Sequence, residues 1–168
     1  MGLFNFLKGK EETAAPITFP VVLGAPAEGT VVTMNQIPDE VFSQGILGQC
    51  CGVDPAVGKV YAPVDGKITQ VADTLHAIGI EAGGIEILIH VGVDTVEMNG
   101  DGFSAMVKVG QTVKKGDQLL TMDLGKICAG GYATTVIMAV TNTDDYASVT
   151  EVASGTVQAG NDFLQVNK

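Results

Sequence analysis

The fold is decided by the stretch Ile85-Glu86-Ile87-Leu88-Ile89-His90-Val91, in which apolar and largely β-branched residues predict a strand. A second run of the same kind precedes it, Leu75-His76-Ala77-Ile78-Gly79-Ile80-Glu81. The two runs are separated by Ala82-Gly83-Gly84, and a three-residue loop that contains glycine is typical of a β-hairpin. The sequence therefore predicts two antiparallel strands joined by a tight turn.

The register of this hairpin decides which side chains meet. If the chain turns about Gly83, Glu81 pairs with Ile85, and His76 lies opposite His90. Directly opposed side chains share one sheet face and have Cβ atoms about 4.5–5.5 Å apart. The chain contains only 2 histidines, so the hairpin predicts a site at which both imidazoles meet.

Strand alternation predicts the other members of this face. The face is expected to carry His76, Ile78, Ile80, Glu86, Leu88 and His90. Thr74 shares it and offers a hydroxyl, while Asp94 follows closely enough to bring a carboxylate near the site. The predicted site is therefore an apolar surface that holds two nitrogen bases.

Three hypotheses fit two imidazoles in such a place. One neutral imidazole could be a nucleophile that accepts a phosphoryl group while the other orients it. The pair could instead bind a metal, although Zn²⁺ prefers four donors and no cysteine or carboxylate lies at tight motif spacing. Both could also be ordinary strand residues with satisfied hydrogen bonds. The residues alone leave all three hypotheses open.

Composition and charge restrict the class of protein. The chain has 168 residues, of which 46% are hydrophobic and 17% charged, which predicts a globular domain with a real core. Its formal net charge is −10, and its 9 basic residues are all lysines. Without arginine and with this charge, a nucleic-acid surface is disfavoured and a basic protein partner is favoured.

The fold class follows from turns and repetition. There are 22 glycines among many short Val/Ile runs, and the motif Ala25-Pro26-Ala27-Glu28-Gly29-Thr30-Val31 is echoed by Ala62-Pro63-Val64-Asp65-Gly66-Lys67-Ile68 and more faintly by residues 153–157. Residues 110–117 resemble the hammerhead turns of lipoyl-type barrel-sandwich domains. We expect an all-β fold, a compact antiparallel β-sandwich or barrel (a barrel-sandwich hybrid) built on a duplicated motif. Single helical turns are expected at 38–42, 124–130 and 144–148.

The N-terminus and the cysteines bear on location. Residues 1–18 are expected to form a flexible tail that precedes one domain at 19–168. The apolar residues and two lysines at the start of this tail would suit either transient membrane contact or packing on the domain. Cys50, Cys51 and Cys128 form no C-x-x-C pair, and no signal peptide is evident, which predicts a reducing cytoplasm.

Several enzyme classes lack their motifs here. The chain has no Walker-type loop, no dinucleotide fingerprint and no G-x-S-x-G. An ATP-consuming kinase is therefore disfavoured, and no cofactor is expected. A lipoyl carrier is disfavoured too, because no lysine lies at the tip of a suitable turn.

The motifs nevertheless resemble one family closely, the glucose-family enzyme IIA of the bacterial phosphoenolpyruvate:sugar phosphotransferase system. The resemblance runs from about Ala25 to the C-terminus. It is carried by Ala62-Pro63-Val64-Asp65-Gly66, Thr74-Leu75-His76-Ala77-Ile78, His90-Val91-Gly92-Val93-Asp94-Thr95-Val96-Glu97 and Gly102-Phe103. It implies a cytoplasmic phosphotransferase component with a phosphohistidine intermediate, monomeric, accepting a phosphoryl group from HPr and passing it to the IIB domain of a sugar permease.

Residue by residue, the resemblance implies specific roles. His90 matches the histidine phosphorylated at Nε2, and His76 matches the histidine that supports onward transfer. Thr74 matches a threonine that holds the pair, Asp94 matches an acidic neighbour, and Gly92 lies in the same string. The docking face would comprise Val41, Phe42, Ile46, Leu47, Ile78, Leu88 and Val96. Two further properties of the family are possible here, a regulatory role read from the phosphorylation state and an intermolecular zinc site at His76 and His90.

Overall fold

The computed structural model describes residues 17–168, so the predicted tail lies almost wholly outside the described part of the chain. The strands in chain order are β1 (Val21–Gly24), β2 (Gly29–Val32), β3 (Gln49–Pro55), β4 (Lys59–Tyr61), β5 (Gly66–Val71), β6 (Ala77–Ala82), β7 (Ile85–Val91), β8 (Phe103–Ala105), β9 (Thr112–Val113), β10 (Gln118–Met122), β11 (Val136–Val140), β12 (Ser148–Glu151), β13 (Thr156–Val157) and β14 (Asp162–Asn167).

Helical structure is short, and three of the five helical elements among residues 17–168 lie close to the expected turns, whereas the 3-10 turns at Met34–Gln36 and Thr95–Met98 were not predicted. The α-helices are α1 (Glu40–Ser43) and α2 (Leu124–Ala129), and 3-10 turns cover Met34–Gln36, Thr95–Met98 and Thr143–Asp145. Asp39 caps α1 by accepting hydrogen bonds from the backbone N–H groups of Val41 and Phe42.

The strands form antiparallel sheets, as predicted. The largest has the order β13-β2-β3-β11-β7-β6-β5-β9, and two three-stranded sheets have the orders β1-β14-β12 and β4-β10-β8. The all-β sandwich prediction is confirmed, with no closed barrel among residues 17–168.

The repeated sequence motif corresponds to a repeated structure. The large sheet divides into two runs of four strands, β13-β2-β3-β11 and β9-β5-β6-β7. Ala25 donates to Asn161 and accepts from Gly160, and Ala62 makes the same pair of backbone bonds with Asp117 and Gly116. The two motif copies therefore occupy equivalent places in the two halves.

The faint third copy at residues 153–157 is not a third unit of this kind. Thr156–Val157 is β13, which pairs with β2 inside the first copy, just as β9 pairs with β5 inside the second. The similarity of short turn-and-strand sequences suggested a repeat, whereas the pairing shows a partner strand.

The central hairpin forms, but the predicted register is wrong by one residue. Ala82 pairs with Ile85 and Ala77 with His90, so the loop is the two-residue turn Gly83-Gly84 rather than a three-residue one. Both glycines have positive φ, +57° and +93°, the conformation that favours a type I′ turn. A two-residue turn matches the twist of the flanking strands, which is why it forms here.

This register also corrects the predicted face. Ile78 pairs with Ile89 and Ile80 with Ile87, and all four side chains lie in the main core rather than beside His90. A one-residue slip moves every side chain of a strand to the other face. The outer face opposite Leu88 and His90 is therefore formed by Gly79 and Ala77.

Candidate functional site

The two histidine rings are adjacent, although the strands do not place them directly opposite each other. His90 lies near the end of β7, and His76 lies just before β6 begins. The ring centroids are 5.0 Å apart with an interplanar angle of 79°, an edge-to-face arrangement. The site thus brings together the imidazoles that the hairpin predicted, by a different local geometry.

A backbone turn explains how His76 reaches this position. Leu75 has a φ of +62°, which is uncommon for a side chain of its kind. The carbonyl oxygen of His76 accepts a hydrogen bond of 2.7 Å from the N–H of Val91, so the two backbones remain paired there. Because His76 precedes the regular strand, its ring does not follow the alternation that sends Ile78 into the core.

The Nδ1 atom of His90 makes a hydrogen bond whose direction is set by its partner. It lies 2.8 Å from the carbonyl oxygen of Gly92. A carbonyl oxygen can only accept, so Nδ1 carries the proton. In the neutral ring the lone pair is then on Nε2, and this nitrogen is the base and nucleophile.

His76 is held by a hydroxyl. Its Nδ1 atom lies 2.6 Å from Oγ1 of Thr74. A hydroxyl can donate or accept, so this bond orients the ring and is compatible with an N–H group at Nε2. Thr74 therefore lies where the sequence predicted, beside the histidine pair.

Burial keeps both rings neutral near neutral pH. Desolvation lowers the pKa of His76 below its ordinary value. Desolvation also lowers the pKa of His90, the nearby His76 lowers it further, and Gly92, Asp39 and Asp94 oppose the shift. Imidazole is a nucleophile only when it is neutral, so the environment favours the reactive form.

Asp39 belongs to this site although the sequence analysis did not assign it there. Its carboxylate caps α1 and acts on His90 through its charge. The cap itself has a sequence signal, an aspartate just before the helical Glu40-Val41-Phe42. Its proximity to His90 has none, because it depends on how α1 packs against the sheet.

The loop that follows His90 has an unusual backbone. Gly92 has a φ of +80°, and Asp94 has a φ of +61° and precedes the 3-10 turn Thr95–Met98. A Cβ atom at Gly92 would overlap the Cγ2 atom of Thr95 and lie 3.0 Å from the carbonyl oxygen of Ala133. Glycine is therefore required at this position both by the backbone conformation and by the available space.

Most of the predicted docking residues lie at the surface. Val41, Ile46, Leu47 and Val96 are exposed, and Leu88 is half-buried. Phe42 is buried, and its ring centroid lies 5.1 Å from that of His90. Ile78 is the exception, because it is fully buried in the main core and cannot contact a partner.

The described residues were also compared with the requirements of a metal site, a reactive cysteine and a membrane-spanning helix. Within 17–168 no group of three or more His, Cys, Asp or Glu side chains could hold a metal ion. Burial, with the charge of Glu151, raises the pKa of the Cys50 and Cys51 thiols to about 12, so neither is a nucleophile near neutral pH. Neither helix in this part of the chain has the length and apolar character that a membrane span requires.

Comparison with known proteins gives a consistent result. Residues 21–146 match the model of the family described as phosphoenolpyruvate-dependent sugar phosphotransferase system, EIIA 1. A glucose-specific EIIA component of Oceanobacillus iheyensis is 40% identical over 96% of this chain and 97% of its own. The solved glucose permease IIA of Mycoplasma capricolum superposes with a TM-score of 0.80 at 33% identity, covering 88% of this chain and 96% of that one.

Other relatives are much longer proteins. The β-glucoside-specific EIIBCA component of Dickeya chrysanthemi is 42% identical over 86% of this chain, but the match spans only 23% of that protein. The similarity thus covers 23% of an EIIBCA component in one case and almost the whole of a separate EIIA component in the other. The chain belongs to the EIIA 1 family of the phosphoenolpyruvate-dependent sugar phosphotransferase system, as its motifs predicted.

Proposed function

We propose that this protein is a cytoplasmic phosphoryl carrier that accepts a phosphoryl group from HPr on His90 and passes it to the IIB domain of a sugar permease. The observation that supports this most directly is the hydrogen bond between His90 Nδ1 and the Gly92 carbonyl oxygen, 2.8 Å long. It leaves Nε2 unprotonated next to a second imidazole, within an exposed apolar surface. Residues 19–168 constitute the domain that performs this transfer.

The chemical step requires no cofactor. The Nε2 lone pair of His90 attacks phosphorus, and the N–P bond forms as the bond between phosphorus and the donor nitrogen breaks. The donor imidazole keeps the electron pair of the broken bond. The proton on His90 Nδ1 stays in place, and the hydrogen bond to Gly92 stabilises the ring as it becomes more positive.

His76 contacts the phosphoryl group in this proposal. Its ring lies 5.0 Å from that of His90, and Thr74 orients it through Nδ1. With the Thr74 hydroxyl as donor, the N–H at Nε2 of His76 donates to a phosphoryl oxygen. This interaction matters most as the group leaves His90 for the next acceptor.

The charge of the chain suits a transient carrier. A net charge of −10 without arginine provides no guanidinium to hold the phosphoryl group tightly. Basic partners can supply the missing positive charge across the interface, which also steers their association. Relatives in which the A portion is fused to B and C portions, such as the Dickeya protein, support a IIB domain as acceptor.

The proposal is tested by labelling with phosphoenolpyruvate, enzyme I and HPr. The wild-type chain should take up one phosphoryl group in an acid-labile, base-stable bond. His90→Ala should take up none, whereas His76→Gln should be labelled by HPr yet fail to transfer the group to a IIB domain. Undiminished labelling of His90→Ala would show that the site is wrong, and normal onward transfer by His76→Gln would remove the role of His76.

A further inference from the structure

We propose that Thr95 is a positioning residue for His90, acting through the loop Val91–Asp94. Its hydroxyl and its methyl group each hold a different part of this loop. Together they place the Gly92 carbonyl oxygen on His90 Nδ1 and so determine which ring nitrogen is the nucleophile.

The hydroxyl of Thr95 makes a buried hydrogen bond. Thr95 is fully buried, and Oγ1 donates a 2.5 Å hydrogen bond to the carbonyl oxygen of Val91. Val91 is also fully buried, so without this donor its carbonyl would lose a partner where water does not readily replace it. An unsatisfied buried polar group costs about 1–3 kcal/mol. The hydrogen bond from Thr95 therefore stabilises this conformation of the loop.

The methyl group of Thr95 packs against Gly92. Cγ2 occupies the space into which a Cβ atom at Gly92 would project. The Gly92 backbone therefore packs directly on this methyl group. Serine would retain the hydroxyl and lose this contact, and valine would retain the contact and lose the hydroxyl.

The backbone of the loop is also held by the segment that precedes β11. The N–H groups of Gly92 and Val93 donate to the carbonyl oxygens of Thr135 (2.8 Å) and Ala133 (3.1 Å). Because each peptide unit is planar, these bonds also restrict the carbonyl groups of Val91 and Gly92, which belong to the same two units. The Thr95 hydroxyl acts on the carbonyl side, one peptide unit before the carbonyl that accepts from His90.

The position of the Gly92 carbonyl determines whether His90 Nε2 carries a proton. If the Gly92 carbonyl turns away, Nδ1 loses its acceptor and the ring can place its proton on Nε2 instead. A ring with its proton on Nε2 has no lone pair there to attack phosphorus. The expected effect on the transfer rate rests on the proposed function, whereas the expected effect on the His90 tautomer does not depend on it.

The test compares three variants by ¹⁵N NMR of the histidine rings, which is simple to assign because the chain has only 2 histidines. Thr95→Val should shift His90 from the Nδ1–H tautomer toward the Nε2–H tautomer, and Thr95→Ser should retain the wild-type tautomer. Thr135→Val is the matched control, because it removes another buried hydroxyl, one that donates to Asp54, and leaves its backbone carbonyl in place. It should lose stability without changing the His90 tautomer.

Phosphorylation by HPr provides the second measurement. Thr95→Val should accept the group roughly tenfold more slowly, the scale on which misplaced reacting groups lose rate, and Thr95→Ser should recover most of the rate. A wild-type tautomer and rate in Thr95→Val would overturn the proposal, as would an equal shift in Thr135→Val. If Thr95→Val shifts the His90 tautomer as expected but HPr does not label even the wild-type chain, the proposed function is wrong and the positioning role stands.

The wild-type protein offers a test that does not depend on a variant folding. It should show the Nδ1–H tautomer at His90 together with a slowly exchanging hydroxyl proton on Thr95. A wild-type ring that carries its proton on Nε2 would refute the proposal without any substitution.

Discussion

His90 Nδ1 and the carbonyl oxygen of Gly92 lie 2.8 Å apart, although the two residues are separated by only one position in the chain. This contact is possible because Gly92 adopts a φ of +80°, which turns its carbonyl back toward the preceding ring. The protein thus sets the tautomer of its nucleophile with a local backbone turn rather than with a carboxylate partner.

Replacing Gly92 with alanine should disrupt this contact. The new Cβ atom would overlap Thr95 and force a backbone conformation that alanine disfavours. We expect the free energy of unfolding to fall by about 3 kcal/mol, from positive-φ strain together with steric overlap, and phosphorylation to slow sharply. Denaturant unfolding and initial rates of labelling measure the two effects.

Gly110→Ala is the matched control for this substitution. Gly110 has a φ of +91°, but a Cβ atom there would meet nothing within 4 Å. It should lose only about 1 kcal/mol from backbone strain and be labelled at the wild-type rate. Equal effects of the two substitutions would mean that strain, and not the Gly92–Thr95 contact, is responsible.

The pH dependence of stability should reveal the buried imidazole. Burial lowers the pKa of His90 in the folded state, so between the unfolded value near 6.5 and this lower value only the unfolded chain binds the proton. The free energy of unfolding is therefore highest, with respect to this group, above pH 6.5. It falls as the pH drops from 6.5 toward the pKa of His90 in the folded state. The slope from one proton is at most about 1.4 kcal/mol per pH unit.

Unfolding in denaturant at a series of pH values between 5 and 7.5 measures this slope. A His76→Gln/His90→Gln double variant provides the baseline, since it lacks both imidazoles. If the wild-type and double-variant slopes agree across this window, burial does not lower the pKa of these rings.

Thr74→Val should separate the acceptance of the phosphoryl group from its transfer. The substitution removes the hydroxyl that lies 2.6 Å from His76 Nδ1 but leaves His90 and Gly92 unchanged. We expect labelling by HPr to stay within about twofold of wild type and onward transfer to IIB to fall roughly tenfold, because His76 is no longer oriented. Thr74→Ser retains the hydroxyl and should transfer normally, and a Thr74→Ser defect as large as that of valine would argue against the hydrogen bond.

Ile46→Lys should weaken docking without affecting the fold. Ile46 is 66% exposed beside α1, so the free energy of unfolding should change by no more than about 0.5 kcal/mol. The added positive charge faces basic partners, and we expect KM for phospho-HPr to rise at least severalfold with little change in kcat. Steady-state kinetics at several ionic strengths provide the measurement.

Val109→Lys is matched in exposure and charge. Val109 is 62% exposed and lies next to Gly110, which bonds to β5 beside the β9 edge of the large sheet. Its substitution should leave KM unchanged. A similar rise in KM for both variants would indicate a general charge effect rather than a docking face around Ile46.

Much of the site was predictable from local sequence. The glycine-separated strands predicted the hairpin, the string from His90 to Glu97 indicated the family, and α1 and α2 formed close to the expected positions. The wrong register and the wrong face of Ile78 have one cause, since a two-residue turn replaced the expected three-residue loop and moved Ile78 from the docking face into the core. Cross-strand register depends on turn geometry and on packing of both faces, which one strand's pattern does not specify.

Sequence alone determined the all-β class, the duplicated strand motif and the pair of histidines on one hairpin, because strand propensity, turn residues and side-chain type are local properties. Tertiary structure decided how His76 reaches His90, where Asp39 lies, and which nitrogen of His90 carries the proton. These features depend on the αL turn at Leu75, on the packing of α1 and on buried hydrogen bonds around Gly92 and Thr95. Such contacts exist only when distant segments are brought together and water is excluded from between them.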